Sequence, residues 1–389
     1  MNRVVPFIFS SLLDLHAQSY EMLLDRAIKN NLNLSLIQRS QEQTALNGEI
    51  LKRQKNPSLE VEVTDFSAQP ILRPNSFGVR VGVSQSILLP HIQKGRESIT
   101  QNQINVVQKQ YSVEKSNFIY GFNLKYLAYK KAKNLLALHD KSIMLSKEIL
   151  DIVNSRYQEG AMAKSDYLEA KLDYIKMQNK TKELTVALTQ AKNELLQFAN
   201  ITEITTIDSG HLFLATGDTT PHPTIQLYHA KNQVSQAKLE LLQHSIDSIE
   251  LFSELEKEPE QDIFRVGVSI PLPTFNTKNE EKQLEKIKLA NQKLLISNQE
   301  RFLTLQIEQL KSENLELEQL KESYQSLISS QEQLFSMYRE SYAIAKVNLR
   351  KLQQIKEQRI TTQRKILDTN FAIELNNIKI NYLQGAYSE

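Results

Sequence analysis

Two spacings of hydrophobic residues alternate along this chain. Period two comes first: Leu59, Val61 and Val63 alternate with Glu60, Glu62 and Thr64, and Phe77, Val79, Val81 and Val83 alternate with Gly78, Arg80, Gly82 and Ser84. A connection holding Pro70 and Pro74 separates the two stretches, so they read as a β-hairpin over about 58–88. The pattern returns as Ile249 and Leu251 against Glu250 and Glu254, then Phe264, Val266, Val268 and Ile270 against Arg265, Gly267 and Ser269. Joined by Lys257 to Asp262, these give a second hairpin over about 248–272. If each hairpin pairs symmetrically about its loop, Glu62 faces Arg80 and Glu254 faces Arg265.

Helical spacing fills the rest. No Gly or Pro occurs from Thr274 to Gln384, a stretch of Leu, Ile, Gln, Glu, Lys and Asn that reads as helix broken at most by a turn. Within it Leu303, Ile307, Leu310, Asn314, Leu317, Leu320, Tyr324, Leu327, Gln331, Leu334 and Tyr338 are spaced by four and three, a coiled-coil seam. Leu135, Leu138, Ser142, Leu145, Ile149 and Ile152 do the same in the first half. A helix from Pro90 to Tyr157 would reach on the order of 100 Å. It folds back where Gly160, Ala161, Ala163 and Ser165 interrupt it, with Asp166 placed to charge or cap the returning helix. In the second half the break falls near Lys346 to Asn348.

The two halves correspond. Arg-Val-Gly-Val-Ser occurs at Arg80 to Ser84 and again at Arg265 to Ser269, an offset of 185 residues that also carries Tyr157 onto Tyr342. The expected organisation is an internal two-fold repeat. Residues 18–208 form the first copy, a helix, a β-hairpin and a long helical hairpin over 91–200; residues 209–389 form the second, with its helical hairpin over 275–385.

Composition narrows the class. The 47 basic and 45 acidic residues are interspersed and leave a net charge of +2, so no nucleic-acid partner is indicated. The absence of cysteine excludes disulfides, thiolate metal sites and a lipidated N-terminal cysteine. Residues 1–17 read as a signal peptide: Arg3, an apolar run from Val4 to Leu13, then Leu15 and Ala17 before a cleavage site. No segment approaches the roughly 18 consecutive apolar residues of a membrane-spanning helix.

Four strands in two hairpins cannot hide their own edges, and an isolated hairpin is marginal. Strands with one apolar and one polar face suit a membrane barrel, apolar side to lipid and polar side to a water-filled lumen. A small β-sandwich at the end of a coiled coil fits the alternation equally; the missing partner strands and the exported N-terminus favour the barrel. In that reading Glu60, Glu62, Arg80, Ser84, Glu250, Glu254, Arg265 and Ser269 face the lumen, and Gly82 and Gly267 keep its wall thin.

The order of these features resembles the TolC-like outer-membrane efflux proteins. The resemblance rests on Asn56-Pro57 before the first strand, the Val268-Ser-Ile-Pro-Leu-Pro-Thr-Phe-Asn276 junction, and Tyr157 to Leu168, and it covers residues 18–389. It implies a mainly α fold with a small β part: three chains build a 12-stranded outer-membrane barrel from four strands each, continued by an α-helical tunnel across the periplasm. It implies a homotrimer in outer-membrane lipid, a periplasmic adaptor protein and an inner-membrane transporter of the RND type. Tyr157, Gly160, Ser165, Asp166, Tyr342 and Asn348 would then form the periplasmic tip that meets the adaptor. Ala345 stands where the family usually has Gly. The Pro271-Leu-Pro273 junction with Phe275 and Asn276 is similar to the heavy-metal-exporting, CzcC-like branch.

The expected function is passive exit of small molecules or metal cations through this duct. No cofactor is expected. His139, His211, His222, His229 and His244 show no ligand spacing, so no metal site is expected, and no catalytic constellation stands out. Asp166, Glu169 and Asp173 could form a carboxylate stripe near the tip, or ordinary solvated helix surface. Rival readings are a type I protein-secretion duct, a periplasmic adaptor, which would have a single helical hairpin, and a non-transport coiled-coil scaffold.

Overall fold

The computed structural model describes residues 19–65, 77–202, 207–217, 220–343 and 347–388. The proposed signal peptide, the Pro70 and Pro74 connection, and Ala345 with Lys346 lie outside them. The chain divides into two compact units.

One unit comprises Ser35–Val113 and Pro223–Phe302. It holds a four-stranded antiparallel sheet of β1 (Ser58–Asp65), β2 (Phe77–Leu88), β3 (Ser248–Lys257) and β4 (Asp262–Ser269), in that order across the sheet. Both hairpins pair symmetrically: Glu62 lies opposite Arg80, and Glu254 opposite Arg265. The hairpins join through β2 and β3, with Arg80 opposite Glu256. Among the described residues β1 pairs only with β2 and β4 only with β3, so both outer strands keep a bare edge.

Helices complete this unit: most of α2 (Leu32–Lys52), the beginning of α3 (Pro90–Gln158), α5 (Pro223–Leu242) and the beginning of α6 (Asn279–Ala343). Pro90 opens α3 at the position where a missing N–H costs nothing. Two glycines let helices touch. A Cβ at Gly48 would stand 2.0 Å from Thr100 Cγ2, and one at Gly95 would stand 2.6 Å from Leu241 Cδ1.

The other unit comprises the described residues of Met1–Leu34, Glu114–His222 and Leu303–Glu389. It contains α1 (Tyr20–Lys29), the rest of α3, α4 (Lys164–Ala199), the rest of α6 and α7 (Leu349–Leu383). Ser19 caps α1, and α1 turns Tyr20, Leu23 and Ala27 into a core with Phe122, Tyr126, Leu195 and Phe371. An extended strap, residues 207–217, crosses this core. Its backbone is satisfied by side chains rather than by a ladder. Tyr126 Oη donates to the Asp208 carbonyl at 2.7 Å, Lys130 Nζ to the His211 carbonyl at 2.8 Å, and Asn377 and Asn381 amides to the Phe213 and Leu214 carbonyls at 3.0 and 2.8 Å. Lys130, itself buried, also pairs with the half-buried Glu374 at 2.7 Å.

The α6 seam differs from the sequence reading. Buried or half-buried positions run Leu303, Ile307, Leu310, Asn314, Leu317, Lys321, Tyr324, Ile328, Gln331, Phe335, Tyr338 and Tyr342, an unbroken alternation of four and three. Leu320, Leu327 and Leu334 are exposed beside it. Lys321 holds the seam with its stem while its ammonium pairs with Glu318 at 3.0 Å. The first-half seam residues are all buried or half-buried.

Candidate functional site: the strand wall and the helix turns

Because directly opposed residues in a ladder share a face, the register assigns each side chain of the sheet to a side. Glu60, Glu62, Arg80, Ser84, Glu250, Glu254, Arg265 and Ser269 fall on one face. Glu256 joins them and is its centre: only 7 % of its side chain is exposed, and it takes Arg80 Nη2 at 3.1 Å on one oxygen and Arg265 Nη1 on the other. Arg80 also donates to Glu62 at 3.1 Å, and Arg265 lies 3.7 Å from Glu254. The two guanidiniums thus tie all four strands together through three carboxylates. Ser58 and Ser84 hydroxyls meet at 2.7 Å on the same side.

Sequence reasoning missed Glu256 because it ended the strand pattern at Glu254. It also missed Phe252, an aromatic on the polar face directly opposite Gly267. A Cβ at Gly267 would stand 2.4 Å from the Phe252 ring. This glycine makes room for an aromatic that covers it, rather than thinning the wall.

The opposite face carries Leu59, Val61, Val63, Phe77, Val79, Val81, Val83, Leu251, Leu255, Phe264, Val266 and Val268, between 39 and 69 % exposed. Burying a large aliphatic side chain is worth roughly 1.5–3 kcal/mol, so covering this face is worth on the order of 20 kcal/mol. No part of the described unit covers it.

In the other unit, α3 ends in a Schellman turn. Gly160 N donates to the Tyr157 carbonyl at 3.1 Å and Ala161 N to the Arg156 carbonyl at 2.9 Å, with Gly160 at φ +74°. Tyr157 stacks on Tyr167 across the turn, ring centroids 5.3 Å apart. The N-cap of α4 is Ala163, which offers no side-chain acceptor, so Asp166 charges the first turn without capping it, and Ser165 is exposed. Asn348 caps α7 by accepting Lys351 N at 3.1 Å. Tyr342 is 2 % exposed, packed among Ile149, Val153, Phe335 and Leu352 with the Arg156 guanidinium 5.3 Å from its ring centre. It acts through packing, and burial pushes its phenol up.

The carboxylate stripe is divided. Asp173 is taken by the fully buried Lys356, which also donates to Ser146 Oγ at 3.0 Å, whereas Glu169 stays exposed. Two histidine contacts were not legible in the sequence: His91 and His244 rings lie 4.2 Å apart, and His211 stacks on Tyr20 at 3.7 Å beside Glu21. Among the described residues no group of three or more His, Cys, Asp or Glu side chains could hold a metal ion, and no helix is long and apolar enough to cross a membrane.

No family profile and no curated protein matches the chain. Solved structures do. The CmeC outer membrane channel of Campylobacter jejuni is 14 % identical over 94 % of this chain and 85 % of that one, with a TM-score of 0.73. The outer membrane protein VceC of Vibrio cholerae is 10 % identical over 94 % of this chain and 95 % of that one, TM-score 0.74. The open state of the MtrE outer membrane channel of Neisseria gonorrhoeae is 12 % identical over 93 % and 88 %, TM-score 0.72. This is the fold of outer-membrane channel chains.

Proposed function

We propose that this chain is one protomer of a trimeric outer-membrane exit duct, the last component of a tripartite efflux system. The observation that carries the reading is the four-stranded sheet, whose apolar face is exposed throughout, whose polar face holds a five-member charge network, and whose outer strands each keep a bare edge among the described residues. Three copies joined edge to edge would close a 12-stranded barrel with the valines to lipid and the Arg80–Glu256–Arg265 network to the lumen. The repeated halves each supply a hairpin to that wall and a helical hairpin to a tunnel. The exposed stripe of Leu320, Leu327 and Leu334, at seven-residue spacing, supports packing of α6 against another copy.

In this reading the protein does no chemistry. It passes small molecules or metal cations handed on by an inner-membrane pump through an adaptor that meets the turns at Gly160 and Asn348. Heat-modifiable trimers in the detergent-solubilised outer-membrane fraction are expected; a soluble monomer or dimer overturns the reading. The likeness of Pro271–Asn276 to the heavy-metal branch is tested by a deletion strain, whose sensitivity to metal salts rises if cations are the cargo and is unchanged if they are not.

A further inference from the structure

The apolar face does not stop where the ladder stops. β4 loses its partner after Ser269, yet Ile270 and Leu272 continue the every-second-residue series of Phe264, Val266 and Val268, at 53 and 78 % exposed, and Phe275 is 100 % exposed. A single exposed apolar residue is ordinary, but these three extend a contiguous exposed apolar face, which marks an interaction or membrane surface. The segment is held firmly at both ends. On one side it continues the β4 ladder; on the other, Lys278 Nζ donates to Asp247 at 2.8 Å and to the His244 carbonyl at 3.0 Å.

Two prolines remove donors from its backbone, and two further N–H groups are satisfied locally. Pro271 and Pro273 have no N–H, Thr274 N donates to the Leu272 carbonyl at 2.9 Å, and Lys278 N to the Asn276 side chain at 3.2 Å. Bare N–H groups are costly in a poorly hydrated layer and harmless in water, so prolines here suit the former. Directly after Phe275 the chain turns polar and charged, from Asn276 to Lys282. At the same end of the sheet, β1 starts just after exposed Arg53 and Lys55. Apolar residues giving way to polar ones beside cations match the boundary between acyl chains and phosphate headgroups.

We infer that Ile270, Leu272 and Phe275 form an interfacial anchor inserted into a phospholipid leaflet at the rim of the sheet. This rests on the reading of the sheet as a membrane wall. The first repeat has no counterpart, because β2 runs through Leu89 straight into α3 at Pro90. The anchor therefore occurs once per chain.

The absence of cysteine makes the test clean. Single-cysteine variants Phe275→Cys, Leu272→Cys, Val266→Cys and Ser269→Cys of the full chain are labelled with an environment-sensitive fluorophore. They are reconstituted into phosphatidylcholine and phosphatidylglycerol vesicles containing lipids brominated at shallow or deep chain positions. The expected result is quenching at 275 and 272 chiefly by shallow bromines, quenching at 266 by deep ones, and none at 269. Quenching at 266 with none at 275 and 272 overturns the anchor while leaving the barrel standing, and means water or a second copy covers the junction. No quenching at any position overturns both. Leu272 carries the test if the Phe275 variant fails to fold.

Discussion

Tyr342 shows how a residue near a helix turn serves it by being hidden. Its ring is enclosed and its hydroxyl has no hydrogen-bond partner in the structure. Removing an unsatisfied buried hydroxyl is close to neutral, whereas emptying the site leaves a cavity. Tyr342→Phe is expected to keep or slightly raise the thermal midpoint, and Tyr342→Ala to cost about 3–5 kcal/mol, read from denaturant melts in detergent. Asp173 behaves oppositely. Neutralising it strands the fully buried Lys356 ammonium with only Ser146 as a partner. Asp173→Asn is expected to lose about 3–5 kcal/mol in the same measurement.

Among the elements, the 207–217 strap and the position just before α5 carry histidines that make stability depend on pH. Burial lowers the pKa of His211, with Glu21, Lys130, Glu374 and Asp208 around it, and burial likewise lowers that of His222. A histidine depressed in the folded state binds its proton first in the unfolded chain, so its stabilisation is full above the unfolded pKa of about 6.5 and is lost as pH falls through that value. The melting temperature is expected to fall between about pH 7.5 and pH 5.5, and His211→Gln with His222→Gln to flatten that slope. A slope unchanged in the double variant would place the titration elsewhere. Strands and long helices were legible because period two and period 3.5 are visible in single-letter order. The strap was not, since it has neither period and is held by side chains from α3 and α7 far along the chain. The α6 seam was misread at Leu320, Leu327 and Leu334 because leucine looks more like a core residue than Lys321. The centre of the polar face escaped too: Glu256 acquires its importance only when β3 is laid between β2 and β4.

For the whole molecule, read as the proposed barrel, the charge of the wall decides what it favours. Per chain the polar face carries Glu60, Glu62, Glu250, Glu254 and Glu256 against Arg80 and Arg265, five negative charges against two positive. A lumen lined this way prefers cations. Reversal-potential measurements in planar bilayers are expected to show cation selectivity that weakens in Glu60→Gln and Glu250→Gln, which leave the arginine network intact; anion preference in the parent protein would contradict the assignment of faces. In the proposed trimer the bare edges of β1 and β4 have a genetic consequence. An edge-to-edge ring needs two different edges from every member, so a copy whose β4 edge is spoiled still offers a sound β1 and is admitted to the ring it cannot finish. Co-expressed in equal amount with the parent gene, such an allele would leave only about one ring in eight free of it. Its loss-of-function phenotype should therefore be dominant, whereas an allele truncated before β1 should be recessive.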